Sequence, residues 1–230
     1  MASRRTYGSY DDGCASAHAL DLVGERWTLI VVRELLLGPK RFSDIQRDVL
    51  GIGPAVLTQR LQDLESDGIL QRRRLPGAGR VDVYELTAWG YELEAVNTAL
   101  SRWAVTSPAL PWDASMSPDT MVLAMRAHAR PLPAGSTEPR VALILTDSRR
   151  SDTEPVTYLA RMTVEATTVE RSPEPGATDA QVSATTADWK ACLIGGVPLA
   201  ELPEVRVTGS DEAVRQLIDA TSLRTSARSN

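Results

Sequence analysis

One stretch constrains this chain more than any other: residues 53–87, GPAVLTQRLQDLESDGILQRRRLPGAGRVDVYELT. Pro54 suits a first helical position, where its missing N–H leaves nothing unsatisfied. Leu57, Leu61 and Leu64 recur at helical spacing, so the pattern predicts one buried stripe. Ala55, Gln59 and Gln62 lie opposite it, with Thr58 at the flank. Gly68 stops the helix at its C-terminal end. Two strands follow, over 69–75 and 81–86. Pro76, Gly77, Ala78 and Gly79 between them can only be a turn. Arg72, Arg73, Arg74 and Arg80 surround that turn.

A helix with a small, polar outer face, followed by an arginine-rich hairpin, is the plan of a winged helix-turn-helix. Such a helix enters a major groove, and the hairpin reaches phosphates or the adjoining minor groove. The net charge of −5 over 230 residues points mildly the other way. Its distribution matters more: from Arg26 to Arg80 ten basic residues face six acidic ones. Thr58 and Gln59 are the expected base-edge readers, since Gln pairs with an adenine edge and Thr meets a thymine methyl. Ala55 shares their face. Lys40, Arg41 and Ser43 stand at a helix entrance suited to phosphate. Arg60 lies nearer the buried stripe, where an ion pair and a phosphate contact are equal alternatives. Arg73 and Arg74 point to opposite faces of their strand, so only one easily faces DNA.

Around this stretch the pattern predicts further helices over 14–22 and 26–37, the latter burying Trp27, Ile30, Val31, Leu35 and Leu36. Ser43 is expected to cap a short helix over 44–49. Thr87 caps a long one over 88–106, whose Trp89, Leu93, Val96, Leu100 and Trp103 form more apolar surface than one small domain needs. That surplus points to a dimer seam. The runs CASAHALDLVGERWTLIVVRELLLGPKRFSDIQ and LTQRLQDLESDGIL, with VYELTAWGYEL and RW, resemble the HxlR family of bacterial transcription factors over residues 13–107. The resemblance implies a homodimer that binds inverted repeats in double-stranded DNA. Gly53 departs from it, standing where the family usually has Ser at the helix entrance. Cys14 stands where the family often has a cysteine, some of which sense oxidants. The other reading of Cys14 is a small buried residue of the first helix.

Residues 108–118 carry prolines and read as a linker. Beyond it, residues 119–223 read as a second domain. Helices are expected over 119–130, 186–194 and 211–220, and strands over 140–146, 156–164, 167–171, 181–184 and 205–209. This order, with TTADWKACLIGGVPLAE and VRVTGSDEAVRQLI, resembles the sterol-carrier-protein-like α/β fold. The resemblance implies a five-stranded sheet and helices enclosing an apolar tunnel. The chain is thus read as α+β: a winged helix-turn-helix domain, then a sterol-carrier-like domain for a small apolar or aromatic ligand. Met121, Met125, Met162 and Trp189 are candidates to line that cavity, with plain core as the other reading.

Enzyme chemistry finds no support. His18 and His128 have no partner at metal-ligand spacing. There is no nucleophile elbow and no phosphate-cradling glycine loop. No metal or cofactor is therefore expected. Two cysteines, Cys14 and Cys192, make no disulfide framework. No signal pattern or membrane span is visible, so a cytoplasmic protein is expected. The leading reading is a dimeric transcriptional regulator. The alternative is a carrier or enzyme for an apolar molecule whose first domain serves only dimerisation.

Overall fold

The computed structural model describes residues 9–75, 81–151 and 153–223. The chain divides into two compact units, with the boundary between Asn97 and Thr98. In the first unit, α1 (Ala15–Val23), α2 (Thr28–Leu35), α3 (Phe42–Asp48) and α4 (Pro54–Ser66) precede a hairpin of β1 (Leu70–Leu75) and β2 (Val81–Leu86). The strands pair antiparallel, Leu70 against Leu86 through Leu75 against Val81. Lys40 and Tyr84 add a one-residue bridge to the hairpin.

The stripe Leu57, Leu61 and Leu64 is buried as its spacing predicts, and Val31, Leu35, Ile45 and Ile69 are buried in the same unit. Each such side chain contributes about 1.5–3 kcal/mol by leaving water. Gly68 adopts a φ of +73° after α4, the left-handed conformation that glycine accepts without strain. Trp27 departs from expectation. It has a φ of +79°, precedes α2 instead of lying within it, and is only half-buried beneath the Arg26 guanidinium.

The predicted helix over 88–106 is two helices, α5 (Ala88–Tyr91) and α6 (Leu93–Ala104). Thr87 caps the first, its hydroxyl accepting from the Gly90 N–H. A Cβ on Gly90 would stand 2.0 Å from the Ile69 carbonyl oxygen, so only glycine fits. This close approach fixes α5 beside the hairpin, and the helical spacing restarts at Leu93. Helix α6 then crosses the boundary between the units.

The second unit holds a five-stranded sheet in the order β5-β4-β3-β6-β7. Its strands are β3 (Arg140–Thr146), β4 (Val156–Met162), β5 (Thr167–Arg171), β6 (Ala180–Thr185) and β7 (Arg206–Gly209). β3 and β6 run parallel; the other neighbours are antiparallel. Helices α7 (Pro118–His128), α8 (Thr186–Leu193) and α9 (Asp211–Thr221) pack on the sheet and on one another. Strand alternation explains the core: Val141, Leu143 and Leu145 share a face with Tyr158, Ala160 and Val182, all buried. The Tyr158 hydroxyl donates to Asp119 at 2.7 Å, and burial pushes the phenol well above its ordinary range.

Candidate nucleic-acid interface

Helix α4 presents its outer strip to solvent. Ala55, Thr58 and Gln59 are exposed, while the leucine stripe behind them is fully buried. Gly53 caps the helix with no side-chain hydrogen bond, as its lack of a hydroxyl dictates. The Thr58 hydroxyl donates back to the Pro54 carbonyl at 2.8 Å. The Gln59 amide donates to Asp63 at 2.7 Å, an exposed contact that a base edge could replace.

Of the two roles left open for Arg60, the ion pair is the one present. Its guanidinium lies 3.5 Å from Asp63 and 3.7 Å from Glu25. Its Nε is buried without a partner.

The helix entrance differs from expectation. α3 begins at Phe42, one residue before Ser43, and its N-cap is Arg41 with no side-chain hydrogen bond. Ser43 therefore sits inside the first turn, exposed. Arg41 is also exposed, and no carboxylate pairs with it among the described residues. Lys40 leaves the surface altogether. It is 5% exposed, and its ammonium lies 2.9 Å from both Glu34 and Asp48. Glu34, 1% exposed, also accepts from Arg33 at 2.8 Å. Burial alone would raise the Asp48 carboxyl. Lys40 and Arg47 outweigh it and hold that carboxyl below its usual range. Lys40 is thus an internal tie between α2, α3 and the hairpin, and no phosphate contact is assigned to it.

On the wing, Arg72 and Arg74 both reach Asp82, at 2.5 and 3.2 Å, while Arg73 reaches Glu85 at 3.0 Å on the other face. The alternation of Arg73 and Arg74 follows from the pleat. The acids that meet them, missed in the sequence, follow from the register, which sets Arg74 against Asp82 and places Glu85 diagonally from Arg73, across from Gln71. Hydrogen bonds from Arg72 and then Arg74 hold Asp82 below the usual carboxylate range. These pairs are exposed and weak, so phosphate can compete for the guanidinium groups. Arg80 lies outside the described residues.

Helix α6 buries none of its side chains. Val96, Leu100 and Trp103 are exposed and Leu93 is half-buried, along one side of the helix; Trp89 on α5 is exposed as well. Cys14 is exposed at the N-cap of α1, which removes the reading of a small buried residue. Hydrogen bonds from the Ala17 backbone N–H, then from Ser16, lower its thiol pKa. Met121, Met125, Met162 and Trp189 are all fully buried. The Trp189 indole donates to the Met125 sulfur at 3.5 Å. They fill the second unit's core, the plainer of their two readings, and line neither the cavity of about 680 Å³ beside α8 nor that of about 750 Å³ beside α9.

Residues 22–108 match the model of the HxlR-like helix-turn-helix family. The HTH-type transcriptional regulator YodB of Bacillus subtilis is 36% identical over 86 residues, covering 37% of this chain and 77% of YodB. The uncharacterized HTH-type transcriptional regulator YvaP of the same organism is 34% identical over 86 residues, covering 37% of this chain and 80% of YvaP. The solved structure of the reduced form of YodB aligns at 33% identity over 42% of this chain and 95% of that one, with a TM-score of 0.39. No described helix is long and apolar enough to cross a membrane.

Proposed function

The chain belongs to the HxlR-like helix-turn-helix family, and from that premise we propose that it is a homodimeric transcriptional regulator reading an inverted-repeat operator through α4. The observation that carries this reading is the two-sided character of α4. Its leucine face is locked into the core, and its outer strip of Ala55, Thr58 and Gln59 is open beside a wing with three exposed arginines. Base contact belongs to Thr58 and Gln59, backbone contact to Arg41, Ser43, Arg73 or Arg74, and Arg80.

Titration of specific and scrambled duplexes at several salt concentrations separates these roles. Gln59→Ala is expected to cost about 1–3 kcal/mol on the specific duplex alone. Arg74→Ala should weaken both duplexes alike and reduce the salt slope by about one. Equal losses on both duplexes for Gln59→Ala would remove its base-reading role.

A second reading concerns Cys14. An exposed thiol at a helix N-terminus, with its pKa lowered, is disposed to react as thiolate. Cys192, buried and shifted up by that burial, is not. Oxidant or electrophile is expected to modify Cys14 first and to change DNA affinity in the native chain but not in Cys14→Ser. Unchanged affinity of the fully modified native protein would leave Cys14 without a regulatory role.

We read the second unit as a sterol-carrier-like sensing domain. The five-stranded sheet with helices packed on it supports that reading. For a ligand to act, it must bind the DNA-competent and DNA-incompetent forms unequally.

A further inference from the structure

Helix α8 has two unlike sides. Trp189, Cys192 and Leu193 enter the core of the second unit. Ala187, Lys190, Ala191 and Ile194 follow the i, i+3, i+4, i+7 stripe on another side. Two of these four are alanines, too short to meet the segment of residues 105–116 that passes them. A cavity of about 680 Å³ remains there, bordered by this stripe, Trp112 and Leu223. The volume lies within the range of small-molecule sites.

Lys190 reaches across this space. Its ammonium donates to the Trp112 carbonyl and, at 2.6 Å, to that of Ala114. An ammonium has three donors, and these contacts use two. No carboxylate pairs with it among the described residues; Asp113 borders the same cavity but is exposed and stands apart from it. A half-buried cation bonded only to neutral carbonyls is unbalanced in charge, and an incoming anion relieves that imbalance. The walls beside it are the apolar side chains of that stripe, Trp112 and Leu223, with Thr106, Ser107, Asp113 and Ser115 along the rim. A further cavity, about 750 Å³ beside α9, is lined by Val197, Leu199, Val207, Val214 and Ile218, and the charged residues that border it among the described residues, Asp211 and Arg215, are exposed.

We propose that the cavity between α8 and residues 105–116 binds a small aryl carboxylic acid, with its ring on the alanine stripe and Trp112 and its carboxylate on Lys190. That occupancy alters operator affinity rests on the sensing role given to the second unit above; the site itself does not.

The test uses the full chain, with biphenyl-4-carboxylate and the neutral biphenyl-4-methanol as probes in calorimetry. The acid is expected to bind about tenfold or more tightly than the alcohol, the difference a charged hydrogen bond supplies. Lys190→Met should erase that difference. Ala187→Trp places a ring in the cavity from an exposed position, and should weaken the acid by a similar factor with an unchanged melting temperature. Equal binding of acid and alcohol, or native binding by Ala187→Trp, overturns the site. Operator titration with and without the acid reads the other question. Binding without a change in operator affinity keeps the site and removes the sensing role.

Discussion

Leu100→Glu combined with Trp103→Ala is expected to convert the protein to monomers and to abolish tight operator binding. Both side chains are open on α6, Trp103 at 77% exposure and Leu100 at 43%. Neither supports the fold of the chain that carries it, so circular dichroism should barely move, and melting should fall only by what dimerisation contributed. At an interface, large aromatic and aliphatic anchors dominate the binding energy, and a buried glutamate adds a desolvation penalty. Together the two changes should cost about 4 kcal/mol or more of association free energy, roughly a thousandfold in Kd. Light scattering reads the assembly state, and operator titration reads the consequence, because an inverted repeat needs two recognition helices at fixed spacing. An intact dimer in the double variant would take the seam away from α6.

The second large effect is on stability. Lys40→Met should destabilise the first unit by up to about 3–5 kcal/mol, because it removes the cation shared by buried Glu34 and half-buried Asp48 and leaves only Arg33 and Arg47 against the two carboxylates. Hydrogen exchange through α2, α3 and the hairpin reads this locally, with amides of β3 and β4 as the internal control. The pH dependence has a definite sign. The Asp48 carboxyl is held low in the folded protein. Its contribution is therefore present at neutral pH and lost as the pH falls into the carboxylate range, below about pH 4. In Lys40→Met only Arg47 is left to oppose the burial, so the Asp48 carboxyl rises from its native position. The gap between native and variant should then narrow on acidification. A gap that stays constant from neutral pH down to about pH 2 would remove the network from the account.

These two cases show what the sequence made legible. The α4 stripe was readable because three leucines at helical spacing have no other arrangement that buries them. The hairpin was readable because Pro76 to Gly79 interrupts two strand-like runs. Glu34 was not. It lies in TLIVVRELLLG, where a charged residue beside an arginine looks like the solvent side of an amphipathic helix. Only the tertiary placement of Lys40, added to the neighbouring Arg33, makes its burial tolerable. The break at Glu92 was hidden for a related reason: apolar spacing runs on through Trp89, Leu93 and Val96, and the decisive contact is a distant carbonyl meeting Gly90. In the second unit, the methionines and Trp189 carry no pattern that separates a cavity wall from a core. The small residues at 187 and 191 matter only beside a segment whose path the sequence does not display.

The parallel pairing of β3 with β6 has a consequence in time. Every pairing in the first unit's hairpin is local, whereas Val141 must wait for Ala180 before the central ladder can close. Non-local pairing slows folding because loop closure precedes its reward. During synthesis at ~5–20 residues per second, roughly 4 to 20 s separate the appearance of Asn97 from that of Thr185. A nascent chain therefore holds α4 and the paired strands β1 and β2 while its second sheet still has an open edge along β3.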